Sequence, residues 1–145
     1  MAVGNVDGVV HLIDAQKSEI IGSPKNHGMP VRALAFTCSS HAVISAGEDL
    51  HIFVTDCETL QRKYTMVGHT KQITCIESHP LNEDIFATAS LDGIVMIWNM
   101  QEASKPTQTV VLGQPIWSLA FSPNGEHFVA VSEPGTLTLV KCSKD

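Results

Sequence analysis

The chain has 145 residues, of which 43% are hydrophobic and 17% charged; this is enough for one cored domain and lacks the polar, aromatic-poor bias of a disordered segment. Nine basic against fifteen acidic side chains give a formal net charge of −6, which repels phosphate backbones and argues against direct nucleic-acid binding. The longest apolar stretches, such as 94–98 and 128–131, fall far short of the roughly 20 residues of a membrane-spanning helix, so no membrane partner is expected.

Taken in chain order, residues 1–24 read as strands around the turn Gly4-Asn5-Val6-Asp7-Gly8, whose Asp-Gly pair favours a tight hairpin. Residues 25–67 hold four short strands, at 31–36, 42–46, 51–55 and 60–66, with His27 ahead of the first and Asp49 between the second and third. Residues 68–112 begin on Gly68-His69, continue through a strand at 73–78 and the Asp92-Gly93 turn, and reach a strand at 94–98 that closes on Trp98-Asn99. That last strand is apolar at every position, as expected where both faces are covered. Residues 113–145 carry Gln114, a strand at 116–121, the turn Ser122-Pro123-Asn124-Gly125, a second turn at 132–135 and a strand ending in Val140-Lys141.

These segments repeat. Asp7, Asp49, Asp92 and Pro134 stand at spacings of 42, 43 and 42, each followed seven residues later by Asp14, Asp56, Asn99 and Lys141. The strands at 31–36, 73–78 and 116–121 keep the same step. A period in the low forties, built from short apolar runs divided by Gly, Pro, Asn and Asp, predicts an all-β chain of four-stranded antiparallel units.

The Gly-His at 68 and 69, the Asp of the turn at 92 and the Trp-Asn pair at 98 and 99 resemble the motifs of the WD-repeat β-propeller family, and the resemblance runs the length of the chain. Three departures stand out: His27 lacks the preceding Gly, Gln114 replaces a His, and Thr55-Asp56 and Val140-Lys141 replace Trp-Asp. The resemblance implies a partial propeller of about three and a half blades, with strands named a to d from the channel outwards, out of a presumed seven-bladed ring. Blade portions are expected at 1–24, 25–67, 68–112 and 113–145. With b, c and d in the first unit and a, b and c in the last, the chain is expected to begin and end within a blade. An isolated fragment of that kind is expected to expose apolar faces and unpaired edges, and so to self-associate.

Within the family, the runs at 6–14, 27–36 and 132–140 resemble the C-terminal half of the WD-repeat subunits of superkiller complexes. That branch implies a tetratricopeptide-repeat scaffold and an RNA helicase as partners, exosome-linked RNA decay or a transcription-associated complex as the setting, and the cytoplasm, the nucleus or both as the location. The alternative within the same class is a generic adaptor in a chromatin, ubiquitin-ligase or trafficking assembly.

His69, Asp92 and Thr88 near Trp98 can be read as a hydrolytic constellation, since a His beside an Asp and a hydroxyl activates a nucleophile. The family resemblance implies instead a buried structural network of His69, Asp92 and Trp98 with a hydroxyl from Thr88 or Ser90. A shorter counterpart is expected around His27 and Asp49, with Ser45 as its candidate hydroxyl. The chain is therefore expected not to be an enzyme. Seven scattered histidines and four cysteines without a CxxC pair predict neither a metal site nor disulfides, and no glycine-rich phosphate cradle suggests a cofactor. Residues 1–8 lack a basic run followed by an apolar one, so an intracellular location is expected. The resemblance also implies a peptide-binding face on the d–a loops and b–c turns. By position it includes Arg32, Thr74 and Trp117, each second in its strand a, with Gln72, Glu48, Leu91 and Glu133.

Overall fold

A computed structural model describes residues 1–102 and 104–142. The first sheet contains β1 (Ala2–Gly4), β2 (Val10–Asp14) and β3 (Glu19–Gly22), in that spatial order. The second runs β4 (Val31–Phe36), β5 (Ala42–Gly47), β6 (His51–Asp56) and β7 (Arg62–Val67). The third has β8 (Ile73–Ser78), β9 (Ile85–Ser90), β10 (Ile94–Asn99) and β11 (Gln108–Val111), and the fourth β12 (Ile116–Phe121), β13 (His127–Ser132) and β14 (Thr136–Lys141). All pairings are antiparallel between chain neighbours. The only helical element among the described residues is a single 3-10 turn at Met100–Glu102. The outer strand of the second sheet starts at Arg62, because Leu60 is taken up by the preceding turn with φ 59°.

Consecutive sheets stack face to face, and the core consists of the seams between them. Between the second and third sheets, Ile44, Ile52, Val54 and Met66 meet Ile73, Phe86, Met96 and Trp98. Between the third and fourth, Ala87, Ala89, Val95 and Ile97 meet Ile116, Leu119, Phe128 and Ala130. A smaller seam joins Val10 and Leu12 to Val43. Because side chains alternate across a strand, β10 sends Met96 and Trp98 one way and Val95 and Ile97 the other. This explains its unbroken apolar sequence: a strand buried on both faces has no side on which to place a polar residue. The outermost strand β14, by contrast, leaves Leu137 and Leu139 about two-thirds exposed, at 66% and 64%.

Two kinds of turn recur. After strand c, a carboxylate or amide caps the backbone: Asp14 Oδ1 accepts the N–H groups of Gln16 and Lys17, Asp56 Oδ1 those of Glu58 and Thr59, and Asn99 Oδ1 that of Gln101. These are short side-chain mimics of a backbone turn. Asp56 also pairs with Lys63 at 2.6 Å, and that ammonium with the Thr59 N–H holds its carboxyl well below the ordinary range. Between strands b and c, the fourth turn position always takes positive φ, at Gly8, Leu50, Gly93 and Gly135. A Cβ on Gly8 would stand 2.2 Å from the His27 carbonyl oxygen, and one on Gly93 2.9 Å from the Gln114 nitrogen. Each of these glycines thus lets the b–c turn of one sheet lie directly against the chain entering the next.

Candidate functional site

The polar side chains singled out in the sequence fall into two groups with different surroundings. The first is buried. In the third sheet, Trp98 Nε1–H donates to Thr88 Oγ1 at 2.9 Å, and the Thr88 hydroxyl lies 2.8 Å from His69 Nε2. His69 Nδ1 faces Asp92 Oδ2 at 3.0 Å, and the same carboxylate accepts the N–H groups of Thr70 and Ile94. The directions are fixed from the ends: the indole must donate and the carboxylate must accept, so Thr88 donates to Nε2 and Nδ1 carries the imidazole proton. Burial holds the His69 pKa below its ordinary value, opposed by Asp92. Burial also pushes the Asp92 carboxyl up, but the Thr70 N–H, His69 and the Ile94 N–H together outweigh it and its pKa is lowered. The pair is therefore a neutral imidazole beside an ionised carboxylate.

Thr88, and not Ser90, supplies the hydroxyl; Ser90 Oγ donates to the Lys71 carbonyl and accepts the Asp92 N–H. Thr88 is fully buried, and its oxygen already serves both Trp98 and His69. With Thr88 closed off from solvent and the Trp98 indole held against its oxygen, a substrate has no approach to that hydroxyl, and the bonds it makes join the loop at 68–70 to the turn at 90–93 as a strut.

The second sheet carries the shorter counterpart. His27 Nδ1 lies 2.9 Å from Asp49 Oδ2, Ser45 Oγ lies 2.9 Å from Nε2, and the Gly28 N–H reaches Asp49. Where the indole would stand, Thr55 receives the side-chain N–H of Asn26 at 2.7 Å. The two departures from the motif are thus one. A Cβ on Gly68 would stand 3.0 Å from both Trp98 and Met96 Sδ, so any larger residue before the His presses on the Trp98 and Met96 side chains. With the smaller Thr55, Asn26 instead bonds the residue at the tryptophan position, and Ser45 keeps His27 as its side-chain partner. In the fourth sheet all members are exchanged together: Gln114, Ala130, Pro134 and Val140 stand at the positions of His69, Thr88, Asp92 and Trp98. Sequence reasoning noticed the changes before His27 and at Thr55, Gln114, Pro134 and Val140, but neither Ala130 nor this coupling, which needs the packing distances.

The second group is at the rim. The pairing of strands a and b slips at the same place in three sheets, between Val31 and Ala33, Ile73 and Cys75, and Ile116 and Ser118. The residues in the bulges are Arg32, Thr74 and Trp117, and a bulge re-aims its side chain out of the regular alternation. Beside each, the residue after strand b returns its N–H to the chain entering strand a: Glu48 to the Pro30 carbonyl at 3.1 Å, Leu91 to Gln72 at 3.0 Å and Glu133 to Pro115 at 2.9 Å. Arg32, Thr74 and Trp117 with Gln72, Glu48, Leu91 and Glu133 therefore occupy three repeats of one rim corner.

Their side chains differ in availability. Arg32 is ion-paired with Glu48. The Thr74 hydroxyl donates to the Ile116 carbonyl at 2.6 Å and lies 3.2 Å from the Ala89 carbonyl, stitching β8 to β12. Ser78 does the same on the other side, donating to the Phe36 carbonyl at 2.6 Å. Trp117 is 55% exposed, the largest exposed side chain of the rim.

The family description "WD domain, G-beta repeat" matches residues 60–99 and 105–140. The "Activating molecule in BECN1-regulated autophagy protein 1B" of Danio rerio is 29% identical over 143 residues, 90% of this chain and 10% of that protein. The "Histone acetyltransferase type B subunit 2" of Candida glabrata is 28% identical over 96% of this chain and 37% of that protein. A chain in the "Crystal Structure of Mitotic Checkpoint Complex" superimposes with a TM-score of 0.87 at 22% identity, covering 98% of this chain and 46% of that one. The chain thus spans between a tenth and about half of the proteins it matches.

Proposed function

Since the chain belongs to the WD domain, G-beta repeat family, we propose that it is a non-catalytic scaffold that docks a partner's peptide on the rim formed by Arg32, Trp117 and their neighbours. The observation that carries this reading is the threefold recurrence of the bulge at the second residue of strand a. Bulges weaken the ladder locally and are concentrated where a side chain is being aimed. Aromatic and Arg side chains dominate interface energetics, and here both are set on bulges at the same edge.

As the particular assembly, we favour a superkiller-type complex, with a tetratricopeptide-repeat scaffold and an RNA helicase as partners, acting in exosome-linked RNA decay in the cytoplasm or in a transcription-associated complex in the nucleus. That choice is supported by the runs at 6–14, 27–36 and 132–140 alone. The relatives described above serve in several different settings by name, which favours the generic adaptor as the second reading. Affinity capture of the full-length parent followed by mass spectrometry separates the two. Recovery of a helicase with a repeat scaffold supports the first, and recovery of chromatin, ubiquitin-ligase or trafficking subunits supports the second. The double variant Arg32→Ala/Trp117→Ala is expected to lose its partner while unfolding at the same denaturant concentration. Undiminished recovery would overturn the assignment of the rim.

A further inference from the structure

The three rim corners are copies of one backbone arrangement, so their side chains can be compared position by position. In the second sheet the carboxylate after strand b, Glu48, holds the guanidinium of the bulge residue Arg32. In the third sheet the same two positions are Leu91 and Thr74, which are neutral, and the Thr74 hydroxyl is bonded to backbone carbonyls. In the fourth sheet the carboxylate returns as Glu133, anchored through its N–H to Pro115 as Glu48 is to Pro30. The bulge residue there is not a cation but Trp117. Glu133 is exposed, and its carboxylate has no hydrogen-bond or ion-pair partner among the described residues.

We infer that this corner takes a cation from outside the chain: an arginine or lysine side chain of a basic peptide, lying over the Trp117 indole with its charge toward Glu133. The inference rests on the rim reading above and names the chemistry of its ligand. The second sheet shows that this backbone corner accommodates a guanidinium against the carboxylate. The fourth keeps the carboxylate and replaces the internal cation with an indole face, which attracts cations through its quadrupole. Thr74, bonded to the carbonyl of Ile116 at 2.6 Å, fixes the residue directly before the indole and reduces the ordering cost of binding. The net charge of −6 adds long-range attraction for a basic ligand. The rim arginine does not oppose it, because Glu48 already neutralises Arg32.

The chain has two tryptophans, and Trp98 is fully buried while Trp117 is exposed, so one indole N–H resonance reports on this corner. The probe is a capped five-residue peptide with a central arginine between alanine and glycine, compared with the same peptide carrying citrulline, which keeps the shape and loses the charge. The arginine peptide is expected to shift the Trp117 resonance saturably, with a dissociation constant around the millimolar range, and the citrulline peptide to bind several-fold more weakly. Glu133→Gln should weaken the arginine peptide by up to about fivefold, and added salt should weaken it further. Equal responses to the two peptides, no response to either, or a Glu133→Gln protein that binds as well as the parent sequence would each overturn the inference. If the arginine peptide fails while the Arg32→Ala/Trp117→Ala parent still loses its partner, the rim reading stands and only the cation assignment falls. If capture is unaffected, the rim reading falls whatever the peptide does.

Discussion

Replacing Thr88 with valine removes one oxygen from the centre of the buried chain of hydrogen bonds without opening a cavity, because the two side chains have nearly the same shape. The loss falls on two partners. Trp98 Nε1–H, 2.9 Å from the hydroxyl, keeps no acceptor, and His69 Nε2, 2.8 Å away, keeps no donor. Trp98 is fully buried and His69 is 3% exposed, so water does not replace the lost oxygen at either site. An unsatisfied buried group costs about 1–3 kcal/mol, which for two groups gives roughly 2–6 kcal/mol for Thr88→Val. Ser45→Ala in the second sheet is the internal control. There only His27 Nε2 loses its partner, and the cost should be about 1–3 kcal/mol. Urea unfolding followed by far-ultraviolet circular dichroism and by tryptophan emission measures both; the midpoint should fall at unchanged slope. A Thr88→Val cost below about 0.5 kcal/mol, or one no larger than that of Ser45→Ala, would refute the claim that the hydroxyl serves two buried partners.

The coupling between Asn26 and Thr55 predicts that Thr55→Trp alone is destabilising through overpacking, and that adding Asn26→Gly recovers at least about 1 kcal/mol in a double-mutant cycle; simple additivity would contradict it. Because burial holds the His69 pKa below its ordinary value of 6.5, the unfolded chain takes up a proton that the folded chain refuses. Stability is therefore full above about pH 6.5 and falls as the pH drops through and below that value. A His69→Gln protein, compared by denaturant titration between pH 8 and 5, should lose that part of the slope. An unchanged slope would show that His69 does not contribute.

The repeat, the all-β class and the order of strands were legible in the sequence because they depend on patterns that survive substitution: turn residues at a fixed step and apolar runs four to six residues long. The partners of the polar residues were only partly legible. Asp92 and His69 are conspicuous by type and spacing, but Thr88 and Ser90 lie two apart on one strand and therefore on the same face. Only the observed bonds separate the hydroxyl that meets His69 from the one that meets the Lys71 carbonyl. The missing glycine before His27 looked like a weakened motif. It is instead a repacked one, because the crowding at Gly68 comes from the Trp98 indole and Met96, and the second sheet has Thr55 and Phe53 at those two positions. Bulges were not legible at all: they add no residue type of their own, and Arg32, Thr74 and Trp117 share nothing chemically.

That last point bears on where recognition is located. The buried strut varies as a set, present in full in the third sheet, shortened in the second and absent in the fourth, as expected if a half-satisfied network is worse than an apolar seam. The rim corner behaves in the opposite way. Its backbone bonds, from Glu48 to Pro30, Leu91 to Gln72 and Glu133 to Pro115, persist in all three sheets whether or not the strut is there. The side chains they present nonetheless run from an ion pair through a neutral pair to an indole and a carboxylate that has no partner among the described residues. At Arg32 and Trp117, where the backbone is held and the side chain is exposed, substitutions should alter what the protein binds without altering whether it folds, whereas Thr74 remains tied to the Ile116 carbonyl. The framework and the reading surface are therefore separable, and variants on the two should move different measurements: strut variants the unfolding midpoint, rim variants the partner.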